Sequence, residues 1–370
     1  MKRLIFVLSA VILAMPNPAL SAQIVFSGVL DSTVSMQAGD LADFSGGMEQ
    51  FANIRFQSRF RDNGRMEGAV NLFAATGNYA VGPAAMGTAS IGENYVAGIE
   101  LERLFFRLNF ESFDLDGGLM RMPFGYSRVW GSVDFLNPPN VLNPTARPRG
   151  VLGYMLTWHA AENFKLAGFG VAPKNPLVQD GSGGLTGISS EWNWDAASMQ
   201  ALYAFELPDE IANNGIHRMG ISLKADIEAN FIIDALYTYN PQVNTEWDYA
   251  TKFPAHGLSF SAGVEYSFFD GNLFILAEYL YNGAASSTAL GYGGFLSNEH
   301  YLSTSFNWHF VDFFTNVSLT LISGLSDMSF IPVLGVNYEL FQGALLIFTI
   351  QVPIDQDLPS DFSARLRLRF

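Results

Sequence analysis

The chain has 370 residues, 49% hydrophobic and 14% aromatic but only 15% charged, with no cysteine and with 20 basic against 35 acidic residues, a formal charge of −15. Sparse charge and dense aromatics exclude a disordered tail, a coiled coil or a collagen-like rod, and a disulfide scaffold would need cysteine. The acidic balance argues against a general nucleic-acid binder, which presents a basic face to phosphates.

The first element in chain order is an expected export signal over residues 1–22. Lys2 and Arg3 precede the apolar run from Leu4 to Met15, and Pro16, Pro18 and the small-residue stretch Ala19-Leu20-Ser21-Ala22 follow it. Such a run is too short to cross a bilayer as a helix, so it reads as a secretory signal peptide rather than an anchor. Residues 23–370 are then the mature domain. Its most apolar segment, Ala344 to Ile354, is short and carries Thr349, Gln351 and Pro353, so no helical span is expected.

From residue 24 onward, apolar residues recur at every second position, which places an apolar and a polar stripe on opposite faces of a strand. Ile24, Phe26, Leu30, Val34 and Met36 alternate with Ser27, Asp31, Thr33 and Ser35; Ala52, Ile54, Phe56 and Phe60 alternate with Asn53, Arg55, Gln57 and Arg59. At the far end Phe362, Ala364, Leu366, Leu368 and Phe370 alternate with Ser363, Arg365, Arg367 and Arg369. A soluble sandwich would also alternate, so a second signal is needed.

The connections supply it. Short turns such as Asp62-Asn63-Gly64, Ala161-Glu162-Asn163, Glu228-Ala229-Asn230 and Asp270-Gly271-Asn272 alternate with longer segments at 77–97, 122–150, 173–186, 241–256 and 282–299. Short turns at one end and long loops at the other are the habit of transmembrane β-barrels. On this rule strands are expected near 24–36, 50–61, 65–76, 98–111, 115–124, 151–160, 164–173, 186–194 and 197–206. They continue near 216–227, 230–240, 257–269, 273–283, 300–310, 313–323, 329–340, 344–353 and 361–370. The expected fold is an all-β, antiparallel up-and-down transmembrane barrel of eighteen strands, with sixteen as the alternative count.

Strands descending toward the short turns tend to finish on an aromatic: Phe60, Phe110, Trp158, Trp194, Phe268, Trp308 with Phe310, and Phe370; the exceptions, Ile227 and Leu340, are apolar. Rings at one level suit a membrane interface, where an apolar body and a polar rim are both satisfied. The last strand, ending on Phe370, resembles the targeting strand of Gram-negative-type outer-membrane proteins. Arg121-Met122-Pro123-Phe124-Gly125, Val129-Trp130-Gly131, Asp134-Phe135-Leu136-Asn137-Pro138 and Asn143-Pro144 are similar to a segment of some porin-like families. The resemblance implies outer-membrane lipid and the barrel-assembly machinery as partners and allows a homotrimer, although no interface is identifiable in the pattern.

If apolar stripes face lipid, polar stripes line the interior. Arg55, Arg59, Arg103, Arg107, Arg365, Arg367 and Arg369 then point inward beside Asp31 and form a basic wall, with Glu265, Glu278, Asp234 and Asp226 expected on a more acidic opposite side. Pairing of these arginines with lumenal acids, or a role in insertion and closure, is the alternative. The segment 122–150 holds Pro123, Pro138, Pro139, Pro144 and Pro148 and is therefore stiff. Folded inward it would constrict the lumen through Arg128, Asp134, Asn137, Asn140, Arg147 and Arg149; folded outward it would be an external cap.

No cofactor or metal is expected: the five histidines are scattered without a His-Glu-x-x-His spacing, and no Gly-x-Ser-x-Gly elbow occurs. The function these features imply is a porin-like channel for passive diffusion of small hydrophilic solutes or ions, not an enzyme. The alternatives are a surface adhesin or receptor barrel with a plugged lumen, and a barrel-embedded hydrolase using His309 with Ser303 or Ser305.

Overall fold

The computed structural model describes residues 24–38, 44–60, 63–77, 89–92, 95–139, 141, 150–172, 184–208, 215–239, 257–283, 298–354 and 360–370. The expected signal segment 1–22 lies outside them. The strands are β1 Ile24–Ala38, β2 Phe44–Phe60, β3 Gly64–Gly77, β4 Ala89–Gly92, β5 Tyr95–Asn109, β6 Phe113–Met120, β7 Val151–Ala161, β8 Phe164–Val171, β9 Leu185–Trp194 and β10 Ala197–Glu206. They continue as β11 Ile216–Asp226, β12 Asn230–Tyr239, β13 Leu258–Phe268, β14 Leu273–Asn282, β15 His300–Phe310, β16 Thr315–Gly324, β17 Phe330–Phe341, β18 Ala344–Gln351 and β19 Ser360–Arg369.

Eighteen of these form one closed antiparallel ring, each paired with its neighbours in chain order and β19 returning to β1. The short β4 pairs only with Tyr95–Ala97 of β5, whose other edge is held by β3. Closure leaves no free edge among the eighteen ring strands and satisfies backbone groups within the wall. Turns of two to four residues join β2 to β3, β5 to β6, β7 to β8, β9 to β10, β11 to β12, β13 to β14, β15 to β16 and β17 to β18, all at one end.

Three boundaries depart from the alternation reading; the strand expected near 115–124 ends at Met120, and residues 121–124 leave the sheet. β2 starts at Phe44 rather than near 50, because Ser45, Gly46 and Gly47 carry no apolar stripe yet pair in register with Gln37, Met36 and Ser35 of β1. The segment 77–97, read as a loop, contains β4 and the start of β5; Ala89-Ser90-Ile91-Gly92 is too short and too small to show a period.

The distribution of polarity is inverted relative to a soluble protein. On β1, Phe26, Leu30, Val34 and Met36 are exposed while Asp31, Thr33 and Ser35 are buried; on β12, Phe231 and Ile233 are exposed while Asp234 is buried. Apolar side chains thus cover the outside of the cylinder and hydrophilic ones enclose its middle, the arrangement of a wall that faces hydrocarbon. Phe110, Trp158, Trp194, Phe268, Trp308 and Phe370 are exposed at the short-turn end, whereas Phe60 is half-buried and lies against Gly64 on the adjacent strand. Phe268 pairs with Leu273 and Leu273 with Trp308, which sets those two rings in one row.

Sequence reading found this lower belt but missed a second one. At the long-loop end of the outer face, Tyr203, Phe205, Tyr239 and His217 cluster, with a hydrogen bond of 2.8 Å between the Tyr203 hydroxyl and His217 Nδ1. Tyr279, Tyr281 and His300 repeat the arrangement on β14 and β15, with 2.6 Å between the Tyr279 hydroxyl and His300 Nδ1. Eight residues separate His300 from Trp308, about 26 Å of strand and about 20 Å of height at a tilt near 40°. Two aromatic belts at that separation bracket a membrane-sized apolar band.

Candidate functional site

The interior has two unlike sides. On β2, β3 and β5 the inward stripe is rich in arginine and comes in rows set by register. Arg55 opposes Ala69, which opposes Arg103; Arg59 opposes Arg65, which opposes Arg107. Ala69 is fully buried, and its small side chain leaves the space between the two flanking guanidiniums to them. Arg65 lies 3.3 Å from Glu67, and Arg107 makes a two-pronged contact with Asp116 on β6 at 2.5 and 2.8 Å. Arg59 is exposed toward the lumen.

Glu102 enters this side through an irregularity in the strand. Register shifts between Ala69 and Val70 opposite Leu101 and Arg103, so β5 carries one residue more than β3 at that point. A bulge of this kind re-aims a side chain. Glu102 thereby joins Arg103 on the inner face, where it is 8% exposed and accepts from Asn53 Nδ2 at 2.8 Å; Asn53 also donates to Asn71 at 2.6 Å. Arg121, just past β6, has Glu102, Arg103, Asp134 and Arg55 as electrostatic neighbours. Burial first, then Arg103 and Arg55, pull its guanidinium below the ordinary value, while Glu102 and Asp134 oppose them. Glu102 and Asp134 thus both neighbour Arg121, and Arg103 lies 4.0 Å from Glu67.

The β19 arginines take a different position. Arg367 lies directly across from Asp31 on β1 and holds it through Nε at 2.8 Å and Nη2 at 2.7 Å; Arg365 donates to Thr33 Oγ1 at 3.1 Å and lies 3.8 Å from Asp31. Arg369 pairs in register with Val29 near the short-turn end.

Opposite, the acids expected as an open wall are occupied. Residues 121–139 leave β6 and run along the inner face, and successive residues contact successive strands. Phe124 packs on Phe169 of β8 at 5.0 Å between ring centres, and Gly125 N donates to Gln200 of β10 at 2.7 Å. Tyr126 N and Ser127 N donate to Asp234 of β12 at 3.1 and 2.9 Å. Arg128 reaches Glu265 of β13 at 3.3 Å. The Glu278 carboxylate of β14 accepts from the backbone of Arg128 at 3.0 Å and Trp130 at 3.1 Å and from the Ser127 hydroxyl. Trp130, fully buried, donates from Nε1 to the Glu278 carbonyl at 3.0 Å and packs against Tyr301 of β15.

Two glycines make this path feasible. Gly125 and Gly131 have φ of +82° and +56°, a region that side-chain-bearing residues rarely enter. At Gly131 the chain reverses, with Asp134 N donating to its carbonyl at 2.9 Å, and the neck is closed by Met122 N donating to Asn137 Oδ1 at 2.8 Å. Apolar clusters fix both halves of the loop. Met122, Phe124 and Val133 pack with Phe169, Leu202 and Leu236; Trp130 packs with Leu280, Tyr301, Ile322 and Ile331. Inward-facing apolar residues on β8–β17, out of place in a water-filled tube, are explained by this cover.

Within the loop, burial pushes the Asp134 carboxyl up to about 7 against hydrogen bonds from the backbone of Asn137 and Phe124 and the nearby Arg121. Of the expected loop contacts, Arg128, Asp134 and Asn137 are in this strap, and Asn140, Arg147 and Arg149 lie outside the described residues. Asp226 ends β11 at the short-turn end and takes no part in it. His309 and Ser305 share a strand face four residues apart, about 13 Å, too far for a direct hydrogen bond. Among the described residues no three His, Asp or Glu gather as metal ligands.

This architecture has solved counterparts. The chain is similar to OccAB4 of Acinetobacter baumannii, with 12% identity over 96% of this chain and 99% of that one and a TM-score of 0.58. The fold is that of outer-membrane porin barrels. Pseudomonas aeruginosa OccK8 (OprE) and OccK5 (OpdH) are similar at 12% and 9% identity, covering 94% and 93% of this chain and 98% and 97% of theirs, each with a TM-score of 0.58. No family profile matches the sequence, and no curated protein matches it.

Proposed function

We propose that the protein is an outer-membrane channel through which small hydrophilic solutes diffuse passively, with residues 121–139 narrowing the lumen and the β2–β3–β5 wall favouring solutes that carry a negative group. The observation that carries this reading is the one-sided use of charge. Asp234, Glu265 and Glu278 are turned to holding the inner strap, while on the facing side Arg55, Arg59, Arg65, Arg103 and Arg107, with Arg121 at the neck of the strap, outnumber their acidic neighbours Glu67, Glu100, Glu102 and Asp116. A low-dielectric wall with fixed guanidiniums raises the local concentration of anions and orients a polar solute passing it. The inverted polarity of the wall, the two aromatic belts and the porin-type fold support placement in an outer membrane. Strand β19 and Phe370 support delivery by the barrel-assembly machinery.

The test is reconstitution in planar bilayers under a salt gradient. Discrete conductance steps with an anion-favouring reversal potential are expected, and Arg55→Ala with Arg103→Ala should move the reversal potential toward cations. A barrel that inserts yet passes no current would instead favour the plugged-receptor alternative.

A further inference from the structure

Among the described residues, the short-turn rim carries its exposed large apolar side chains unevenly. From β5 to β10 its turns present one large ring, Phe110 at 54% exposure, with Glu111 and Ser112, Glu162 and Asn163, and Asp195 and Ala196. From β11 to β18 they present Ile227, Phe269, Val311, Phe313, Phe314 and Phe341, with exposures between 57% and 74%, beside the polar Glu228, Asp270, Asn272 and Gln342. A barrel standing upright with all its turns in water has no reason to sort them in this way, and large side chains grouped in the open mark a contact surface. Phe269 and Phe314 have φ of +52° and +51°, where glycine or asparagine would sit with less strain. A ring is kept there in spite of the backbone.

We infer that this half of the rim, from β11 to β18, is embedded in the lipid headgroup layer of the inner-facing leaflet, so that the barrel sits canted with its β13–β17 turns deepest. Three observations select lipid over another occupant. The rim rings are continuous with the lower belt: Phe268 contacts Phe269, and Trp308 stacks on Phe310 at 5.2 Å. Measured down from His300, Phe310 lies about 25 Å lower, the height of the apolar band itself, so the rings just beyond it fall in the interfacial layer. Between the β13–β14 and β15–β16 turns a cleft of about 300 Å³ is lined by Phe269, Trp308, Phe310, Val311 and Phe313 with Asn272 and His309, a mixed lining that suits the headgroup layer. The described residues of these turns include Glu228 and Asp270 but no lysine or arginine. Insertion is therefore driven by apolar contact and needs no anionic lipid.

This rests on the barrel spanning a bilayer, not on what its lumen passes. Because the chain has no cysteine, single spin labels can be placed without background. Phe313→Cys, Phe341→Cys, Glu162→Cys and the wall position Leu302→Cys would be labelled in the full chain and reconstituted in neutral phosphatidylcholine vesicles. Relaxation by oxygen and by a water-soluble nickel chelate reports lipid against water. The 313 and 341 labels should show an oxygen-to-nickel ratio severalfold above the 162 label and approaching the 302 label. Nickel access at 313 and 341 equal to that at 162, with 302 still in lipid, overturns the inference and leaves the membrane barrel standing. A water-like ratio at 302 would bring down the membrane reading itself. Broadening at 313 that disappears on dilution with unlabelled protein assigns the surface to a second copy and overturns the inference as well.

Discussion

Arg367 and Asp31, far apart in sequence, meet face to face across the closing seam of the barrel with both guanidinium–carboxylate contacts below 3 Å. Such forked geometry is the strong form of the ion pair. Arg365 leans on the same carboxylate, so one acid serves two arginines. Asp31→Ala should leave both guanidiniums without that partner and destabilise the barrel by about 1–3 kcal/mol, the cost of a lost charged hydrogen bond, so that the unfolding midpoint falls. The double variant Asp31→Leu, Arg367→Met should lose less than the single one. Heat-modifiability on detergent gels measures both, and equal midpoints for wild type and Asp31→Ala would remove the seam from the stability account.

Glu278 gathers backbone and hydroxyl donors from the middle of the inner strap. Removing it leaves those donors unsatisfied inside the barrel, where each charge-assisted bond contributes about 1.5–3 kcal/mol. Glu278→Ala is expected to raise single-channel conductance and open-channel noise. Glu278→Gln, which keeps an acceptor, should do so less. Identical traces for the two variants would show that the carboxylate does not hold the loop.

Trp130 anchors the same segment by packing. It is fully buried against Leu280, Tyr301, Ile322 and Ile331, and truncating a residue so placed costs about 3–5 kcal/mol. Because the ring belongs to the strap and not to the wall, Trp130→Ala should free the loop while the barrel keeps its gel shift. Protease nicking within the strap of the reconstituted variant, absent from wild type, is the readout.

The Asp134 carboxyl titrates near 7 because burial disfavours its charged form. A carboxyl raised from 3.8 binds more protons in the folded state. Its contribution to strap stability is thus full below about pH 4 and is lost as pH rises through 7. Open-channel noise should increase between pH 5 and about pH 8, and Asp134→Asn should flatten that dependence. A wild-type noise profile unchanged over this range would exclude Asp134 as its source.

Alternation made the strands legible where one face is apolar and the other polar, as on β1 and β19, because lipid and water impose a period of two. It failed where neither solvent dictates the side chain: at Ser45, Gly46 and Gly47, which carry no apolar stripe, and in the four residues of β4. The inner side of the arginine wall was partly readable, but Arg65 and Arg121 were overlooked even though Arg65 alternates with Glu67 on the same stripe. Loop direction could not be read, since Asp234 and Glu278 lie more than a hundred residues from the amides they accept from. The upper belt did leave a trace, Tyr237 with Tyr239 and Tyr279 with Tyr281, two apart at strand ends.

Glu102 stands where β5 swallows an additional residue without changing phase: Ile99 and Leu104 both look outward, and Glu100 and Arg103 inward. A chain lacking Glu102 would consequently zigzag without interruption and keep every other side chain on its own side. The architecture could do without that position. What would vanish is one negative charge beside Arg55, Arg103 and Arg121, so this insertion is a place where the preference of the conduit is retuned without rebuilding the cylinder.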